Sequence, residues 1–145
     1  MSGVFVDTSA LIALLDRTDP RRPAVTATFA ANRQAALATH GYVVAESLAV
    51  ARRRFGAAGE LALLDDVLPA IAVIPVDTEL HDRAIGAHRA ALPSSISFVD
   101  RVSLALIARE GFRSVIALDP DLATPGAPVL PAATQVSDPE ESGRS

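Results

Sequence analysis

Gly3-Val4-Phe5-Val6-Asp7-Thr8-Ser9-Ala10-Leu11-Ile12-Ala13-Leu14-Leu15 decides the fold of this chain. Gly3 to Val6 reads as a short strand, Asp7 ends it, and Thr8 to Leu15 reads as a helix. The same grammar returns near the other end, where Asp119 closes the strand-like run Ser114-Val115-Ile116-Ala117-Leu118. In an open parallel sheet, ligands bind outside the carboxyl ends of the strands. Two further acids, Glu46 and Asp100, lie at or near the ends of predicted elements. Carboxylates delivered to one place by separate segments repel one another unless a cation holds them together. The pattern points to a metal site.

Strand-like and helix-like stretches alternate between these two ends. Asp16 to Pro20 is a polar loop, and a helix is expected from about Arg22 to Asn32 with Pro23 tolerated in its first turn. Ala35 to Thr39 is a short apolar run, ambiguous by period alone and read as a buried strand. Tyr42 to Phe55 carries a helical spacing of Val43, Val44, Leu48, Val50, Ala51 and Phe55, ending near Gly56. Gly59 to Leu68 is a further amphipathic helix stopped by Pro69. Ile71 to Val76 is a strand whose late Pro75 suits an edge or a strand end. Asp77 or Thr78 caps a helix to about Leu92. After the loop at Pro93-Ser94-Ser95, Phe98 to Glu110 is a helix closed by Gly111. A short last strand is expected around Val129-Leu130. Strands alternating with helices imply a single-domain α/β fold, a central parallel sheet flanked by helices, over residues 1–131. From Ala132 onward Ser, Asp, Glu, Pro and Gly dominate, so residues 132–145 are expected to be disordered.

Composition narrows the chemistry. The chain has 145 residues, no cysteine and a net charge of −4. A metal site must therefore use oxygen or imidazole ligands, and no disulfide is available. The charge argues against a protein that coats nucleic acid through its overall field, yet leaves room for a local arginine patch. All the basic side chains are arginine, the better bidentate partner for phosphate. No apolar stretch approaches the roughly 20 residues needed to cross a membrane. Met1-Ser2-Gly3 lacks the basic start of a signal peptide, so the cytoplasm is the expected address.

Each acid has a plain reading on its own. Asp7 is an ordinary helix N-cap. Ser97-Phe98-Val99-Asp100 has the spacing of a capping box, with Asp100 at the third helical position. There the helix dipole should keep Asp100 ionised at neutral pH. Glu46, set among Val43, Val44, Ala45, Leu48 and Ala49, either faces a cleft or joins a buried ion pair. Arg52-Arg53-Arg54 reads first as a polar helix end and second as an RNA contact, while Arg17, Arg21, Arg22 and Arg101 are candidates for phosphate contact. His81 and His88 are expected to lie exposed on one helix, and His40 ends a strand near the presumed site. The joint pattern favours the site over these separate readings.

Val6-Asp7-Thr8-Ser9-Ala10-Leu11-Ile12-Ala13 resembles the opening of PIN-domain ribonucleases, VapC-type toxins in particular. That family continues with a helical Glu, a Ser-Phe-x-Asp segment and a strand ending in Asp. Glu46, Ser97-Phe98-Val99-Asp100 and Asp119-Pro120-Asp121-Leu122 match in that order, over about residues 3–131. The chain departs at Ala117, where the family often has Thr, and at Leu122, where it often has Phe. Asp121 therefore stands as an alternative to Asp119 for the fourth acid.

The resemblance implies a PIN-like fold holding one or two Mg²⁺ or Mn²⁺ ions. Asp7 and Asp100 would be the principal ligands, Glu46 and Asp119 further ones, and Thr8 or Ser9 donors to a water or phosphate oxygen. It implies an endoribonuclease that cuts tRNA or ribosomal RNA, a cognate antitoxin and a homodimer. A catalytically weak RNA- or protein-binding module and a phosphohydrolase of another substrate class are the alternatives.

Overall fold

The computed structural model describes residues 3–132. Its strands are β1 (Val4–Val6), β2 (Leu37–His40), β3 (Ala72–Ile74), β4 (Ser114–Ile116) and β5 (Val129–Leu130). Its helices are α1 (Thr8–Leu15), α2 (Arg22–Ala31), α3 (Gly41–Ala62), α4 (Thr78–Ala90) and α5 (Phe98–Glu110). The strands form one parallel sheet in the order β3-β2-β1-β4-β5. The α/β reading with a parallel sheet and flanking helices holds.

β1 is the central strand, and Val4, Phe5 and Val6 are fully buried. A strand covered on both faces needs this unbroken apolar run instead of alternation. From β1 the chain winds outward to β2 and β3, then returns to the other side of β1 to lay down β4 and β5. The direction of winding reverses between β1 and β4, and at such a switch point the connections part to leave a crevice. Asp7 directly follows β1, and Asp119 follows β4 after two more residues. Topology thus places both acids at one crevice.

Several element ends are set by single residues. Gly56, at φ 72° and ψ −169°, breaks α3 into the two helices expected from the sequence. Gly111 closes α5 in the left-handed region at φ 68°. β3 occupies the sheet edge, where Pro75 beyond it costs no ladder bond. Other ends differ from expectation. β2 starts two residues late and runs to His40, because pairing with both β1 and β3 fixes its register. The segment expected as helix to Leu68 loosens into a π turn at Leu63–Val67 and a 3₁₀ turn at Leu68–Ala70. Pro69 cannot supply a helical N–H there, and Leu63 stays fully buried. The disorder expected of the tail falls outside the described residues apart from Ala132. Among the described residues no helix is long and apolar enough to cross a membrane.

Candidate active site

The crevice at the β1/β4 switch point is a cleft of about 640 Å³ lined by Asp7, Glu46, Asp100 and Asp119, with Thr8 and Ser9 beside them. All four acids singled out in the sequence therefore face one space, each carried by a different segment.

Asp7 is held hardest. Its Oδ2 accepts from the backbone N–H of Ser9 at 3.1 Å and from the Ser9 hydroxyl at 2.6 Å. The same hydroxyl oxygen accepts the Leu118 N–H at 2.9 Å, while the Asp7 N–H donates to the Ile116 carbonyl at 3.0 Å. Ser9 thus clamps the ends of β1 and β4 together and aims Asp7. It is a positioning residue committed to protein partners. Asp7 is only 3% exposed, and burial raises its pKa against the lowering effect of Ser9. Glu46 pushes the same way from α3.

Asp100 occupies the third position of α5, and its N–H donates to the Ser97 hydroxyl at 3.1 Å, as the capping spacing predicts. Its charge state departs from expectation. Burial first, then Asp7, Asp119 and Glu46, push its pKa up to about 7. The helix terminus favours the carboxylate, but three other acids and partial desolvation outweigh it. Asp119 is half-buried, and its Oδ1 accepts the Asp121 N–H at 2.9 Å, capping the 3₁₀ turn Pro120–Leu122. Asp121 is exposed and does not line the cleft.

Among the described residues no ion pair involves any of these four acids. Nor do three of them already stand together at metal-ligand spacing. The donor set fits a hard divalent cation: it is all oxygen, and Asp7 is buried without a cationic partner. Thr8 Oγ1 is buried at the cleft with no hydrogen-bond partner, a donor left available to something else there.

His40 is the residue whose importance the sequence understated. Its Nδ1 accepts the N–H groups of Tyr42 and Val43, capping α3, which carries Glu46. Those two donors assign the proton to Nε2, which lies 2.9 Å from the Ser103 hydroxyl, and Ser103 in turn donates to the Val99 carbonyl. His40 therefore links the helix of Glu46 to the helix of Asp100 from behind the cleft. Desolvation lowers its pKa to about 4, so it is neutral at pH 7. His40→Ala removes a cap and a buried hydrogen bond and is expected to cost about 2 kcal/mol, read from the urea midpoint. A parent-like midpoint would show the link to be dispensable.

The other basic and imidazole candidates resolve individually. His81 and His88 are half-buried rather than exposed, both packed against Phe98, with the Tyr42 hydroxyl 2.7 Å from His81 Nδ1. Arg22 donates to the Leu14 carbonyl and Arg101 to the Ser94 hydroxyl, away from the acids. Arg17 is exposed and lies outside the cleft lining. Arg21 and Arg54 do line the cleft, paired with Asp19 and Asp16.

Fold and site together define a class: a parallel α/β domain with a carboxylate-lined cleft at its topological switch point. The chain belongs to the PIN-domain family, whose match spans residues 4–127. No curated protein matches the sequence. Among solved structures, VapC20 of Mycobacterium tuberculosis, a sarcin–ricin-loop-cleaving toxin, is similar at 26% identity and a TM-score of 0.75. That likeness covers 83% of this chain and 92% of VapC20. The DNA-bound VapBC structure from Salmonella typhimurium is similar at 16% identity and a TM-score of 0.66, covering 89% and 97%. PAE2754 of Pyrobaculum aerophilum follows at 20% identity and a TM-score of 0.56, covering 89% and 90%. The two lower identities speak for the fold alone. The VapC-type resemblance read from the sequence is borne out.

Proposed function

We propose that this PIN domain is a divalent-metal-dependent endoribonuclease, the toxin of a type II toxin–antitoxin pair, cutting structured tRNA or ribosomal RNA to inhibit translation. The observation that carries the reading is the meeting of Asp7, Glu46, Asp100 and Asp119 in one cleft, none of them in an ion pair among the described residues. Asp7 and Asp100 are the principal ligands, with Glu46 and Asp119 completing the set. Mg²⁺ or Mn²⁺ held there supplies an activated water and neutralises charge on the phosphate oxygens. The protein's own part is orientation. Ser9 fixes Asp7, Ser97 fixes the first turn of α5 under Asp100, and the free Thr8 hydroxyl is placed to donate to a phosphate oxygen. VapC20, similar over most of both chains, cleaves the sarcin–ricin loop, which favours a folded RNA as substrate here too.

The partner is a cognate antitoxin, and the working unit a homodimer in the cytoplasm. Leu61 and Leu64, 56% and 44% exposed at the far end of α3 and the turn after it, leave apolar surface for association. An amphipathic antitoxin segment laid along residues 42–68 could reach the acids with a basic side chain. Expression of the chain alone should slow growth, and co-expression of the neighbouring small gene should restore it and co-purify. Light scattering should give the mass of a dimer. A monomer that captures nothing and leaves growth unchanged would remove the toxin role while leaving a nuclease possible.

A further inference from the structure

Arg21 and Arg54 are the only basic side chains lining the acidic cleft among the described residues, and neither pairs with Asp7, Glu46, Asp100 or Asp119; Arg21 pairs instead with Asp19, a fifth acid of the lining. Arg21 places Nε and Nη2 on the two oxygens of Asp19, at 3.1 and 3.0 Å. Arg54 donates from Nη2 to Asp16 Oδ2 at 2.8 Å, with its guanidinium 5.0 Å from the centre of the Phe55 ring. The other oxygen of Asp16 is occupied by the N–H and hydroxyl of Thr18, which turns Oδ2 toward Arg54. Both arginine side chains remain about half exposed, at 46% and 47%.

The two ion pairs differ in what they do for the fold: Arg21–Asp19 joins residues two apart in one loop and contributes about 0–1 kcal/mol, whereas Arg54–Asp16 also ties α3 to the end of α1. Neither arginine neutralises the four candidate acids, since neither guanidinium lies on Asp7, Glu46, Asp100 or Asp119. Instead Asp16 and Asp19, on the segment between α1 and α2, hold both cations at the rim. This keeps them off Asp7, Glu46, Asp100 and Asp119 and leaves further N–H donors of each for another partner. A planar guanidinium with free donors at the rim of a negatively charged cleft matches a phosphodiester oxygen pair.

We propose that Arg21 and Arg54 form a rim clamp for the backbone phosphates of the RNA strand flanking the cut, a binding element separate from the metal-holding acids. The proposal rests on the nuclease reading of the cleft. It gives the strand a path over the α1–α2 loop and the break in α3 at Gly56. It also explains how a cleft lined by five acids in a chain of net charge −4 holds a polyanion.

The test is fluorescence anisotropy of the full chain with a short labelled RNA hairpin, in Ca²⁺ to allow binding, across a range of NaCl. Each of Arg21→Ala and Arg54→Ala should lower the slope of log binding constant against log salt by about 0.7–0.9. Each should also weaken binding several-fold. Arg83→Ala, at an exposed position of α4 outside the cleft, should keep the parent's slope. Melting curves of each variant establish that it is folded. If Arg54→Ala fails to fold, Arg54→Lys, which keeps charge but loses the fork, should weaken binding with the slope retained, and Arg21→Ala decides alone. Folded Arg21→Ala and Arg54→Ala proteins with the parent's slope and affinity, beside a parent that cleaves RNA, would overturn the clamp only. A parent that neither binds nor cleaves RNA would overturn the nuclease reading together with it.

Discussion

Asp7→Asn and Asp100→Asn should each lower RNA cleavage by at least about a hundredfold, the loss expected when a charge-stabilising group is removed from a reacting centre. Both proteins should stay folded. In Asp7→Asn the side-chain amide oxygen could still accept the Ser9 N–H and hydroxyl that now bind Asp7 Oδ2. The Asp100 contact with Ser97 runs through its backbone N–H and survives the change. What disappears is negative charge, and with it affinity for a hard cation. Chelation by EDTA should reproduce the loss in the parent, and Mg²⁺ or Mn²⁺ should restore it. Asp119→Asn should cost about 10–100-fold, as for a group supporting a metal site. Asp121→Asn should leave the rate near the parent's, because Asp121 is exposed and outside the cleft. Cleavage measured on a labelled RNA decides each case. Full activity in EDTA, or in both the Asp7 and Asp100 variants, would remove the metal assignment, and loss confined to Asp121→Asn would move the fourth position.

The parts legible in the sequence were those fixed by local rules. The apolar run Val4–Val6 reads as a strand, Asp7 and Ser97 cap helices as their spacing predicts, and of Asp77 and Thr78 it is Asp77 that caps α4. Gly56 and Gly111 mark a break and an end because both need positive φ. Parallel topology then carried the acids to one crevice, so their meeting in one cleft was legible before any distance was known. What stayed hidden depends on contacts between remote segments. Asp100 looked ionised from its own helix, and only Asp7, Glu46 and Asp119 beside it, with burial, reverse that. His40 looked incidental because Ser103, its partner, is 63 residues away. The rim ion pairs were invisible for a related reason. Nothing in the order of residues tells Arg54 that Asp16 will meet it, 38 positions earlier in the chain.

The second large effect concerns the charge of the cleft without metal, where Asp100 and His40 act against each other. Asp100 has a folded pKa of about 7, raised from 3.8, so the folded chain holds more protons than the unfolded one between those values. Its contribution to stability is present at low pH and is lost as pH rises from about 4 to about 7. Asp7, also raised, adds to this loss. His40 has a folded pKa of about 4, lowered from 6.5, so its effect carries the opposite sign. Stability from neutral His40 is lost as pH falls from about 6.5 to about 4. The two windows overlap and partly offset one another, so the parent's stability in EDTA should vary less across them than either group alone would give. Asp100→Asn removes one side of the balance. Its melting temperature should exceed the parent's at pH 7.5 in EDTA and should fall on acidification toward pH 4, exposing the histidine. Glu46→Gln should stabilise the metal-free protein in the same direction by removing one repelling charge. Mg²⁺ should raise the parent's stability by about 2.7 kcal/mol at a hundred times its dissociation constant. Asp100→Asn should gain far less, because the cleft has lost a ligand. Thermal melts of parent and variants over pH, with EDTA or Mg²⁺, give every one of these signs. An Asp100→Asn or Glu46→Gln protein clearly less stable than the parent in EDTA at neutral pH would mean these carboxylates hold the fold through partners of their own, and the picture of four acids awaiting a cation would fail.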